Sequence, residues 1–289
     1  MKAKDYRSEL QPVWCTGCGD YGVLKGLTQA LADLDVAPEK LAVVSGIGCS
    51  SRLAGYTRSY SFNSIHGRAL PIASGLKLSR PDMTTVVVGG DGDGFSIGLG
   101  HIPHAIRRNV PLTYAVLDNG LYGLTKGQAS PTTDPEFKRD RGLAGPDERP
   151  LNPILLVLSS GCGFVARTHA GNLPHLRQMF REAISYPGFA FLHVLAGCVT
   201  YQTPSYADEI YRRCDLLPAE YDPTDFARAV EAARTERFQL GVIYSRPVGE
   251  TPAVNDDAQA GDAGVWPPLE RKAVVAPVAV EDLPAGDMG

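Results

Sequence analysis

Nowhere does this chain run to 18 consecutive apolar residues, so a membrane-spanning helix is not expected. The opening residues, Met1-Lys2-Ala3-Lys4-Asp5-Tyr6-Arg7, lead into no apolar stretch, which argues against a secretion signal. Neither charge sign is in excess. Twenty-eight Lys and Arg face 32 Asp and Glu, a net charge of −4, which gives no reason to expect nucleic acid or an anionic membrane as partner. The cytoplasm is the expected location. Six cysteines in 289 residues are few, and in that compartment they are ligands, catalytic groups or core fillers sooner than disulfides. No internal repeat is visible.

What the chain does hold is an alternation of β-like runs and helical patterns. Val23, Leu24, Leu27, Leu31 and Leu34 recur at helical spacing after Asp20, which reads as an N-cap. Leu41–Val44 is a short buried strand, and a helix follows His66 with Pro71 in its first turn. Thr84–Val88 is a β-branched strand closed by Gly89-Gly90, Phe95–Arg108 reads as helix, and Leu112–Leu117 as strand. Weaker signals mark helices at Pro153–Leu158 and Leu173–Ile184, and strands at Phe164–Arg167 and Phe189–Leu195. This order predicts an α/β fold, an open, mostly parallel sheet with helices on both faces, over residues 1–245. Residues 246–289 differ in kind, with six prolines and one aromatic, Trp266. They form either a flexible tail or an arm that orders against a partner.

The strongest local signal is GGDGDGFSIGLGH, from Gly89 to His101. A strand feeds a glycine-rich turn that opens a helix, so Gly90 and Gly92 permit close backbone approach and free N–H groups face an anion. Asp91 or Asp93 in such a turn suits Mg²⁺, which takes oxygen ligands and bridges to phosphate. No Gly-Lys-Ser/Thr follows, so this is not a Walker A loop, and acids stand where a Rossmann fingerprint would face pyrophosphate. Asn119 lies one crossover later, in Asp118-Asn119-Gly120-Leu121-Tyr122-Gly123. One right-handed βαβ unit sets Asp91 and Asn119 at the same sheet edge. At this point the pattern resembles the thiamine-diphosphate signature. The resemblance implies that Asp91, Asn119 and the Leu121 carbonyl hold Mg²⁺.

Trp14-Cys15-Thr16-Gly17-Cys18 invites a thioredoxin reading, but no apolar strand precedes it. Cys49 follows strand Leu41–Val44, and Cys198 follows strand Phe189–Leu195. Both fall at carboxyl ends of predicted parallel strands, the edge where open α/β sheets bind ligands. Four thiolates there fit structural zinc or an iron–sulfur cluster, and spacing alone does not choose. Cys162, among small residues, and Cys214, after two arginines on a predicted helix, read as non-ligands.

Taken together, the residues resemble the β subunit of 2-oxoacid:ferredoxin oxidoreductases. The motifs in order are WCTGCGDYGVL from Trp14, GIGCSS from Gly46, HGRALPIASGLKL from His66, the Gly89–His101 segment, DNGLYGLTKGQASPT from Asp118 and GCVTYQ from Gly197. The resemblance implies one [4Fe–4S] cluster on Cys15, Cys18, Cys49 and Cys198, beside thiamine diphosphate. It implies that His66 and the Ile47-Gly48-Cys49-Ser50 turn line the cofactor. The wall would continue through Gly90, Asp91, Gly92, Asp93, Asn119, Leu121, Tyr122, Gly123 and Leu124. Lys126 would face the substrate, where its ammonium meets a carboxylate, although a loop lysine is often merely solvated.

The implied reaction converts a 2-oxoacid, best matched by 2-oxoglutarate with pyruvate close behind, to acyl-CoA and CO₂. Coenzyme A is the co-substrate, and electrons leave through the cluster to ferredoxin. No glutamate is recognisable as the acid that activates the aminopyrimidine, and no coenzyme A site is legible. An α subunit carrying the aminopyrimidine-side domain, in an (αβ)₂ assembly, would account for both. A non-redox thiamine enzyme with a structural four-cysteine zinc site is the alternative, and a non-catalytic zinc-bearing scaffold is a more distant one.

Overall fold

A computed structural model describes residues 1–134, 149–202 and 206–247. The expected tail therefore lies, from residue 248 onward, outside the described residues. In chain order the elements are α1 (Asp20–Asp33), β1 (Leu41–Ser45), β2 (Tyr60–Asn63), α2 (Ala69–Ser79), β3 (Thr84–Gly90), α3 (Asp91–Phe95), α4 (His101–Arg107) and β4 (Thr113–Asp118). A small hairpin follows, β5 (Leu121–Tyr122) and β6 (Gln128–Ala129), then α5 (Pro153–Ser159), β7 (Phe164–His169), α6 (Leu173–Ser185) and β8 (Ala190–Leu195). The described part closes with α7 (Tyr206–Arg212), β9 (Cys214–Leu216), α8 (Phe226–Arg234) and β10 (Phe238–Ser245).

Eight strands form one sheet in the order β2-β1-β3-β4-β8-β7-β10-β9. Every neighbouring pair is parallel except β10 against β7. The expected class is therefore observed, with one antiparallel joint. Two cores cover the two faces, because successive side chains of a strand point opposite ways. Val43, Val86, Val88, Leu117 and Val194 meet α1 and α6 on one side. Val44, Val87, Val116, Phe191 and Ile243 meet α2, α4, α5 and α8 on the other. Phe191, fully buried against Tyr114 and Phe95, sits where truncation to Ala typically costs about 3–5 kcal/mol. Among the described residues no helix is long and apolar enough to cross a membrane.

Local chemistry explains the helix starts. Asn152 Oδ1 accepts the Ile154 and Leu155 N–H groups, and Pro153 takes the position where no hydrogen is needed. Three readings change. Asp20 does not cap α1: Gly19 holds that place, and the Asp20 carboxyl is buried beside Cys18. The predicted helix Phe95–Arg108 is shortened to α4, because Phe95 ends α3, Ser96 leaves helical geometry and the helix resumes only at His101. Cys214 is on strand β9, paired with Phe238, since β10 offers it a ladder that sequence periodicity does not reveal.

Candidate functional site

The carboxyl ends of β1, β3, β4 and β8, all parallel neighbours, carry Cys49, Asp91, Asn119 and Cys198 into one region. Gly90 pairs with Leu117, so the residues just past each strand, Asp91 and Asn119, stand side by side. Asp91 Oδ1 accepts the Asn119 N–H at 3.3 Å and its Oδ2 lies 3.0 Å from the Thr132 hydroxyl. Burial, and then the charge of Asp118, push the Asp91 carboxyl above the usual carboxylate range. A nearby cation would favour the ionised form. Asn119 Oδ1 accepts the Leu121 N–H at 3.0 Å, and Gly120, at φ +67°, permits the sharp turn between them.

Asp93 has a different task. Its Oδ1 accepts N–H bonds from Ile47 (2.9 Å) and Gly67 (2.7 Å) and lies 3.1 Å from His66 Nδ1. The buried carboxylate thus fastens the Ile47–Ser50 turn to the His66 turn. Gly46 is required by the same packing, because a Cβ there would stand 1.9 Å from Asp93 Oδ2. Of the two aspartates proposed for the metal, Asp93 is engaged as a brace and Asp91 faces Asn119. Ile47, Gly48, Cys49, Ser50, His66, Gly90, Asp91, Gly92, Asp93, Asn119, Leu121, Tyr122, Gly123 and Leu124, with Thr125 added, line one cavity of ≈ 370 Å³.

Cys15, Cys18, Cys49 and Cys198 line a second cavity of ≈ 190 Å³ that shares Cys49, Asn119, Gly123 and Leu124 with the first. Trp14 anchors the N-terminal pair by donating from Nε1 to the Cys49 carbonyl at 2.7 Å, while its ring meets Tyr21 and Tyr56 edge-on. Burial pushes the Cys18 thiol up, with the Asp20 charge next, and it lifts Cys49 to about 11. At Cys18 and Cys49 this favours the thiol over the thiolate unless a metal centre supplies positive charge. Among the described residues no three His, Cys, Asp or Glu side chains close on a single-ion point. Cys162 is buried in the core, its Sγ 3.2 Å from the Phe164 carbonyl, and Cys214 Sγ lies 3.3 Å from the Ile210 carbonyl; both stand outside the two cavities.

Sequence reading missed Gln202 as a connector. It is 1% exposed, accepts the Cys198 N–H at 2.7 Å and donates to the Asn119 carbonyl at 2.6 Å, tying the cysteine side to the aspartate side. It also missed Thr132, His193 and Arg167; their signal was present only as polar residues inside or near buried strands.

Lys126 is not brought to either cavity wall. It is exposed in the turn between β5 and β6 at φ +80°, a costly conformation for lysine. If the ammonium swings onto a substrate carboxylate, Lys126→Ala raises KM for the oxoacid and leaves thiamine diphosphate affinity intact. An unchanged KM in steady-state assays returns it to a solvated loop residue.

With this geometry in view, known proteins supply a comparison. Residues 46–194 match the thiamine pyrophosphate enzyme, C-terminal TPP binding domain family. The chain is 43% identical over 248 residues, 80% of its own length and 81% of the relative's, to a 2-oxoacid:ferredoxin oxidoreductase subunit beta from Sulfolobus sp.. It is 39% identical over 260 residues to 2-oxoglutarate synthase subunit KorB of Archaeoglobus fulgidus, covering 85% of this chain and 97% of that one. Among solved structures it resembles 2-oxoglutarate:ferredoxin oxidoreductase from Magnetococcus marinus, bound to 2-oxoglutarate, coenzyme A and succinyl-CoA. The TM-score is 0.86 and the identity 40%, over 90% of this chain and 89% of that one.

Proposed function

Because the chain belongs to the β subunits of the 2-oxoacid:ferredoxin oxidoreductases, which are CoA-acylating oxidoreductases, we propose that its own substrate is 2-oxoglutarate. The oxoacid is decarboxylated oxidatively to acyl-CoA and CO₂; Cys15, Cys18, Cys49 and Cys198 would hold a [4Fe–4S] cluster, which would supply the electron outlet to ferredoxin. The observation that carries this reading is the shared wall of the two cavities. Cys49, Asn119, Gly123 and Leu124 face both, so a cofactor in the larger cavity abuts whatever the four thiols hold. The relative bound to 2-oxoglutarate supports the choice of substrate, with pyruvate second.

The donor sets fit the groups assigned to them. Asp91, the Asn119 side chain and the Leu121 carbonyl are hard oxygen donors suited to Mg²⁺ beside a diphosphate. Four thiols lining one cavity are a soft donor set suited to an iron–sulfur cluster, with structural zinc the alternative. When bound, thiamine diphosphate supplies the electron sink for loss of CO₂.

This chain's residues then do the positioning. Asp91 neutralises metal charge, the Ile47–Ser50 turn and Tyr122 wall the cofactor, and Asp93 holds His66 toward the cavity. Ile47 and Leu124 are exposed apolar lining residues, and Ile65, next to His66, is exposed too, which fits cover by an α subunit in an (αβ)₂ assembly. No glutamate stands among the described lining residues, and the α subunit is assigned the activating acid. The setting is the cytoplasm.

The assay is viologen reduction by the purified complex, with coenzyme A and each 2-oxoacid in turn. Fastest turnover is expected with 2-oxoglutarate. Preference for pyruvate would move the substrate, and no reduction with any oxoacid would overturn the redox reading.

A further inference from the structure

Behind Asp91 runs a line of polar groups, half-buried Thr132 and then buried Asp118, His193 and Arg167, that the cofactor reading leaves without a task. The Thr132 hydroxyl lies 3.0 Å from Asp91 Oδ2 and 2.8 Å from Asp118 Oδ1. Asp118 Oδ1 also accepts the Gly120 N–H at 2.9 Å, and its Oδ2 lies 2.9 Å from His193 Nε2. His193 Nδ1 in turn lies 3.1 Å from Arg167 Nε. Parallel pairing sets this up: Arg167 faces His193 across β7 and β8, and Val116 faces His193 across β4 and β8, two residues before Asp118.

The direction of the line is determined by arginine, which only donates. Nδ1 of His193 must accept from Arg167, so the ring proton sits on Nε2 and is donated to Asp118. Burial lowers His193 and favours the neutral ring. Asp118 therefore accepts at both oxygens. It lines a separate cavity of ≈ 310 Å³ with Thr132, Arg167 and His193, not the one that Asp91 and Asn119 face. Its two oxygens are engaged by Gly120 and His193.

We propose that Asp118, clamped by His193 and Arg167, is a positioning residue for the Mg²⁺ site. It holds in place the Thr132 hydroxyl, whose single proton it shares with the Asp91 carboxylate, and shapes the Asn119 turn through Gly120. This rests on the reading of Asp91 and Asn119 as metal ligands. An asparagine at 118 would fail, because its amide must face the N–H of either Gly120 or His193, donor against donor.

The test uses the complex with its partner subunit, titrated calorimetrically with thiamine diphosphate at graded Mg²⁺. Asp118→Asn and the near-isosteric Thr132→Val should each weaken apparent Mg²⁺ affinity about 10–100-fold, the usual effect of losing a group that orients a metal ligand. Excess Mg²⁺ should recover most of the lost turnover, and the double variant should be far from additive. If Asp118→Asn does not fold, Thr132→Val decides alone. Wild-type Mg²⁺ affinity in folded Thr132→Val, with binding lost in Asp91→Ala, overturns the positioning role and leaves the ligand reading standing. Unchanged binding in Asp91→Ala overturns the ligand reading itself.

Discussion

The chain is expected to purify with about four iron atoms, as cubane ligation by four thiolates requires, and alanine at any one of Cys15, Cys18, Cys49 or Cys198 is expected to lose the cluster or make it labile. The four side chains arrive from an N-terminal turn and two separate strand ends, yet they line one cavity. Each is thus a separate corner with no neighbouring thiol among the described residues to replace it. The surroundings sharpen the effect. Burial and the Asp20 charge disfavour thiolates at Cys18 and Cys49, so metal must displace protons, and three sulfurs hold it less well than four. Cys214→Ala should keep the full complement, since its sulfur lies against the Ile210 carbonyl. Iron and sulfide analysis of anaerobically purified protein, with its visible spectrum, is the measurement. Stoichiometric zinc without iron would sink the redox assignment.

Asp91→Ala should weaken thiamine diphosphate binding in the presence of Mg²⁺ by on the order of 3 kcal/mol, the scale for breaking a buried charged pairing. That is about two orders of magnitude in affinity. The carboxylate is 1% exposed, and among the described residues lining this cavity it is the acid not already engaged as a brace, since Asp93 is tied to Ile47, Gly67 and His66. Asn119→Ala should act in the same direction but less, because a neutral donor is lost and the backbone turn survives in part. Calorimetry reads both. Wild-type affinity in Asp91→Ala would place the metal elsewhere.

Much of the site was legible because parallel βαβ topology makes strand ends converge by rule. A Gly-Asp-Gly after one strand and Asp-Asn after the next must meet, and the Gly90–Leu117 pairing brings them together. The same rule placed Cys49 and Cys198 at that edge. Where the reading slipped, long-range partners had overridden local signals. Cys214 looked helical until β10 paired with β9, and Asp20 looked like a cap until its carboxyl turned toward Cys18.

By itself the sequence determined the fold class, the glycine turns and the identity of the donor atoms, since these follow from periodicity and from side-chain chemistry that no neighbour alters. Which donor does what was decided only by tertiary structure. Asp91 and Asp93 sit two residues apart in the same glycine turn, but β1 and the His66 turn claim one while Asn119 and Thr132 surround the other. The Asp118–His193–Arg167 line exists only in the register of three strands separated by dozens of residues. Periodicity reports which face a side chain takes, and only pairing across the sheet chooses the group it meets there.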